Sequence, residues 1–142
     1  MFKDILLPVD LGNKETQTKS IATAVEMAQH FVSRLHVMTI VPDFGMSIVG
    51  SFFPAQYEKK ALDEANKQLH AFVAEVIPQG IKVQHIVAHG TIYEEILRFA
   101  GKTNIDMIVM ASHRPELQDY LLGPNAARVV RHARCSVTVV RD

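Results

Sequence analysis

Ile5-Leu6-Leu7-Pro8-Val9 is an unbroken apolar run that stops at Asp10, and the change of period beyond it decides the fold. Five apolar residues without alternation suit a strand covered on both faces. From about Thr16 to Val32 the apolar residues fall instead at Ile21, Ala24, Val25, Ala28, Phe31 and Val32. That spacing makes one apolar helix face. Leu35 to Val41 then reads as a second strand. Strand, helix and strand in that order form the repeating unit of a parallel sheet, whose neighbours need a long crossover.

The alternation continues along the chain. Residues 55–77 predict a long helix with Leu62, Ala65, Leu69, Phe72, Val73 and Val76 on one face, stopped by Pro78-Gln79-Gly80. Ile81 to Ala88 is a third strand. Lys82, Gln84, His85 and the following His89 make it more polar than the others, which suggests a sheet edge. Thr91 to about Lys102 is a third helix, with Thr91 as N-cap and Glu94 at the capping-box position. Asp106 to Ala111 is a fourth strand, Pro124 to Ala133 a short fourth helix and Ser136 to Arg141 a last strand. The pattern predicts a single α/β domain over residues 1–142, with a mostly parallel sheet, helices on both faces and right-handed crossovers. Strand order is not contained in periodicity. Residues 42–54 break the rhythm with two prolines and two glycines yet stay apolar. They form a lid or contact surface, or a loop tucked onto the core.

Composition narrows the function. Fifteen Lys and Arg balance fifteen Asp and Glu, so formal net charge is zero. Phosphate neutralisation on nucleic acid calls for a basic excess, and neither nucleic acid nor an anionic membrane is expected as a partner. Cys135 is the sole cysteine, which excludes an intrachain disulfide and suits a reducing compartment. No run approaches a membrane span, and the first residues do not read as a signal peptide, so cytoplasm is expected. No Cys/His cluster has zinc-ligand spacing. His85 and His89 share a strand face but stand roughly 13 Å apart, too far for one metal.

Ligands of open α/β sheets bind beyond the carboxyl ends of the strands, which directs attention to two loops. Asp10 leaves the first strand at such an end. There it either accepts bonds from ribose hydroxyls or serves as an ordinary turn or capping acid. Between Met110 and Val130 a strand ends at Ala111, a polar loop comes next, and Gly123 opens a helix near Pro124. A helix start after glycine offers free N–H groups and the positive end of the macrodipole to an anion, although Pro124 subtracts one donor. Gly101-Lys102-Thr103 imitates the end of a P-loop, but Ile96 occupies the upstream glycine position and the context is helix-to-strand. Arg128, Arg131 and Arg134 recur at helical spacing as a solvated face or as a phosphate or partner contact. Cys135 reads as a packed small residue rather than a nucleophile.

Pro8-Val9-Asp10, Gly90, Met110-Ala111-Ser112-His113, Leu121-Leu122-Gly123 and the segment from Arg131 to Val140 together resemble the universal stress protein family, over essentially the whole chain. Ser112-His113-Arg114-Pro115 and Tyr120-Leu121-Leu122-Gly123 look closest to its F/G subgroup. The resemblance implies a doubly wound open sheet of five parallel strands in the order 3-2-1-4-5. It also implies a homodimer joined through the C-terminal strand. ATP-binding members carry Gly-x2-Gly-x9-Gly-[Ser/Thr] in the loop. Here Ala111 and Arg114 stand for the first two glycines, eight residues separate Arg114 from Gly123, and Pro124 replaces the hydroxyl residue. By matching position, Pro8, Val9, Asp10 and Ile40 would flank adenine and ribose, with Met110 and Ala111 nearby. Ala111, His113, Arg114, Gly123, Asn125 and Ala126 would surround the phosphates. Arg114 would supply a charged fork in place of the lost donors.

These readings point to an ATP-binding stress or regulatory protein, with Mg²⁺ accompanying the nucleotide, acting through dimer or partner contacts. The alternative is a dimeric interaction module of the same fold without nucleotide. No paired carboxylates or activated nucleophile point to an enzyme. At most a slow ATPase activity is expected, with His113 as the acid or base candidate.

Overall fold

The computed structural model describes residues 1–42, 55–112 and 123–141. The apolar segment 43–54, with nearly all of the expected lid, lies outside them. The strands are β1 (Asp4–Pro8), β2 (Arg34–Pro42), β3 (Lys82–Gly90), β4 (Met107–Ser112) and β5 (Ser136–Arg141). The helices are α1 (Thr18–Phe31), preceded by a 3-10 turn at Lys14–Gln17, then α2 (Ala55–Val76), α3 (Ile92–Lys102) and α4 (Gly123–His132). One parallel sheet runs β3-β2-β1-β4-β5, the order implied by the family resemblance.

The first apolar run is unbroken because its residues serve two cores in turn. Ile5, Leu7 and Val9 face α1 and α2, with Leu35, Val37 and Val109 beside them. Leu6 faces α3 and α4, with Met38, Ile108 and Met110. Burying one such side chain contributes roughly 1.5–3 kcal/mol, so both layers hold β1 at the centre. The polar β3 is an edge strand, as its composition suggests. There His85 stacks on His70 of α2 with ring centroids 3.8 Å apart. Burial, with the His70 ring adding to it, holds the His85 imidazole below the ordinary value of 6.5. The folded state therefore favours neutral His85. That contribution to stability is complete above the unfolded pKa and is lost as pH falls through 6.5 toward the lower folded value. Thermal melts should show this acid-side loss shrinking in His85→Gln.

Helix ends are finished in two contrasting ways. Asn104 takes φ +54° after α3, a conformation asparagine tolerates. Val32 takes φ +53° after α1 and is 89% exposed, while Ser33 N–H reaches Ala28 O at 2.9 Å. A left-handed C-terminal residue normally is glycine, and a β-branched one costs roughly 1–2 kcal/mol. Val32→Gly is accordingly expected to stabilise the fold by about 1 kcal/mol in urea titration, since the exposed side chain contributes little packing. At the start of α3, Thr91 occupies the N-cap position, but its side chain makes no capping bond. The anticipated capping box is therefore not formed. Glu94 instead accepts from the Tyr93 hydroxyl at 3.3 Å.

Candidate functional site

The sheet is paired unevenly, and the uneven place is its centre. β1 pairs with β2 from Asp4↔Arg34 to Pro8↔Met38, but with β4 only at Ile5↔Met107 and Leu6↔Ile108. The cause is Pro8. Asp106 donates its N–H to Asp4 O at 2.9 Å, so Asp4 faces β4, and Leu6 and Pro8 do the same by alternation. Val9, one residue on, donates to Met38 O at 2.8 Å and faces β2. Proline has no N–H to offer β4, and the ladder ends there. The break lies between strands whose onward connections go to opposite faces, α1 to one and α4 to the other. In a doubly wound sheet this is the switch point at which ligands enter.

Asp10 follows two residues after Pro8 and is 5% exposed. Its Oδ1 accepts from Gly12 N–H at 3.0 Å and its Oδ2 from Asn13 Nδ2 at 2.8 Å. The turn-acid role is realised in these bonds, and they fix the carboxylate at the mouth of the crevice. Gln17 holds the turn from behind. Its Oε1 accepts from Asp10 N–H at 2.7 Å, and its Nε2 donates to Asp10 O at 2.6 Å and Asn13 O at 2.8 Å. Gln17 escaped sequence reasoning because a glutamine near a helix start carries no distinctive signal.

The remaining expected residues divide by depth. Pro8 and Ala111 are buried where β1 and β4 lose their pairing. Val9 belongs to the core under α1, whereas Ile40, Met110 and Ala126 meet in the core under α3 and α4. These residues make a floor rather than a rim. Gly123 begins α4 and Asn125 is half-buried in its first turn. His113 and Arg114 lie outside the described residues. The residue types fit an adenine nucleotide chemically: apolar side chains suit a base, a carboxylate can accept from ribose hydroxyls, and a helix start favours phosphate. Among the described residues no group of three or more His, Cys, Asp or Glu is placed to hold a metal ion.

Other sequence candidates find structural roles. Gly101-Lys102-Thr103 ends α3, with Thr103 N–H bonded to Phe99 O at 2.9 Å, so the P-loop likeness is accidental. His89 Nδ1 lies 3.2 Å from Glu58 Oε1. Arg128 covers the Tyr93 ring at 5.0 Å, and Arg131 and Arg134 are exposed. Burial pushes the Cys135 thiol up, with the Asp106 charge adding to the shift, which matches a packed residue and not a nucleophile. Two bonds from Arg98 hold the Glu95 carboxyl below its ordinary range, against the opposing effect of burial. Gly90, at φ +137°, leaves a Cβ only 3.4 Å from Glu95 Cγ, which explains a glycine at the end of β3. No helix among the described residues is long and apolar enough to cross a membrane.

The same architecture recurs in known proteins. The sequence profile of the Universal stress protein family matches residues 1–141. Universal stress protein G of Escherichia coli O157:H7 is 28% identical over 143 residues, covering 99% of this chain and all of that protein. This agrees with the F/G resemblance. Among solved structures, protein MJ0577 of Methanocaldococcus jannaschii matches with a TM-score of 0.74 at 25% identity, covering 100% of this chain and 97% of that one. The universal stress protein from Archaeoglobus fulgidus in complex with dAMP matches with a TM-score of 0.69 at 18% identity, covering 97% of each chain. From the two-core doubly wound sheet to the full-length profile match, these observations agree: the chain belongs to the universal stress protein family.

Proposed function

We propose that this chain binds an adenine nucleotide, ATP with Mg²⁺, in the crevice between β1 and β4 and works as a non-enzymatic stress regulator. The observation that carries this reading is the β1–β4 ladder, which stops after two residue pairs, at Leu6 and four residues before Asp10. The base would lie by Pro8, Val9 and Ile40 with Met110 and Ala111 nearby, the ribose hydroxyls at Asp10, and the phosphates at Gly123, Asn125 and Ala126 of α4 with Arg114 and His113. The A. fulgidus relative in complex with dAMP lends support to an adenine nucleotide. The bound state would be read through a homodimer joined at β5, an edge strand with Val139 partly exposed. Such a protein would act in the cytoplasm.

Native mass spectrometry and calorimetric titration with ATP, ADP and AMP test the assignment. A saturable 1:1 complex with ATP is expected, and absence of binding below millimolar concentration overturns it. Pro124 and the eight-residue spacing favour a second reading, in which the same dimer is an interaction module without nucleotide. Partner capture that ignores added ATP would then accompany the negative titration.

A further inference from the structure

A second hollow lies at the opposite end of the sheet from the crevice. It is a cavity of about 590 Å³ where the C-terminal ends of α3 and α4 meet the start of β5. Its volume falls within the roughly 300–1,000 Å³ typical of small-molecule sites. Ala100, Gly101, Ile105 and Ala133 make an apolar floor, and the small size of Ala100, Gly101 and Ala133 leaves the space. At Gly101 a Cβ would meet nothing within 4 Å. Arg98, His132 and Arg134 stand among the lining residues, the other polar members, Asn104 and Cys135, are uncharged, and no carboxylate belongs to the described lining.

We propose that this cavity binds a small organic anion with an apolar body, of the aryl or alkyl carboxylate class, independently of the nucleotide crevice. The charges around it decide the sign. Two helix C-termini point here, each worth about half a negative charge, which disfavours an anion deep in the floor. Their carbonyls are partly capped, since Phe99, Ala100 and Val129 accept from Thr103, Ile105 and Ala133. Arg134 brings a full positive charge and forms no ion pair among the described residues. Arg98 spends two of its guanidinium donors on Glu95 and retains others. The neighbouring Asp106 is engaged by the N–H groups of Lys3 and Asp4, both at 2.9 Å. A ligand satisfying all of this places its carboxylate at the arginine rim, where a planar fork can grip it, and its apolar body over Ala100 and Ile105.

The test uses the full chain without nucleotide, observed by amide NMR and calorimetry with 1-naphthoate. 1-Naphthylmethylammonium serves as the control of like shape and opposite charge. Saturable 1:1 binding of naphthoate is expected, with shifts confined to residues 97–105 and 132–135, and the cation binding at least about tenfold more weakly. Arg134→Glu should weaken naphthoate by about tenfold or more. Gly101→Leu, which fills the hollow while improving helix propensity, should remove binding without lowering the melting temperature. The proposal is overturned by lack of saturation at millimolar naphthoate, by equal affinity for the cation, or by undiminished binding in both variants.

Discussion

Gln17→Leu is expected to lower the free energy of unfolding by about 3 kcal/mol, or roughly 10 °C in melting temperature for a chain of this size. Leucine preserves much of the volume, so packing is not the main loss. Three hydrogen bonds vanish instead, all to backbone groups of the turn that carries Asp10. The Asp10 N–H then loses its side-chain acceptor at a site where Gln17 is 1% exposed, leaving little room for water to replace it. A buried donor without a partner costs roughly 1–3 kcal/mol by itself. The Asp10 carbonyl loses its short bond from Gln17 Nε2 and keeps a longer one from Asn13 N–H, at 3.2 Å. Gln17→Glu separates hydrogen bonding from shape. Its carboxylate can accept from Asp10 N–H but cannot donate, and its charge sits beside Asp10. Stability should therefore recover in part as pH falls and the introduced group protonates, because the acid form regains a donor. A change below about 1 kcal/mol for Gln17→Leu would show that the turn stands without its brace.

The same turn shows what sequence can and cannot disclose. Asp10 is visible because it ends an apolar run, and its alternative roles arise from position alone. Gln17 is invisible because its partners depend on how the chain bends between residues 10 and 17. His36 is a stronger case. It is buried in β2 and bridges Gln84 Oε1 at 2.6 Å and Asp4 Oδ1 at 2.9 Å across three strands. Those partners lie far away along the chain, so no periodicity relates them. The strands and helices are legible because each buries a face, and burial imprints a period. The strand order is not legible from that period, and comes only through the combination of motifs resembling a family. Pro8 lies between the two cases. Its presence in a strand is plain, but its consequence requires knowing that its missing N–H faces β4.

Gly123→Asp offers the sharper test of the crevice, because it should separate binding from folding. Residue 123 begins α4, a helix of ten residues, and the first N–H groups of any helix have no acceptor within the helix itself. Aspartate near a helix start satisfies such groups and complements the macrodipole, contributing roughly 0.5–2 kcal/mol. The variant should therefore melt no lower than the parent in a thermal scan. For ATP the effect is opposite. The new carboxylate occupies the donors assigned to phosphate and repels it at short range, so ATP affinity should fall by at least about 100-fold, close to 3 kcal/mol. Gly123→Asn keeps the shape and the capping oxygen without the charge, and should lose distinctly less. If both variants bind ATP like the parent while remaining folded, phosphate does not use the first turn of α4. If Asp and Asn weaken it equally, crowding and not charge controls the seat. Loss confined to Asp, in a helix at least as stable as before, is the result that an anion site at this terminus requires.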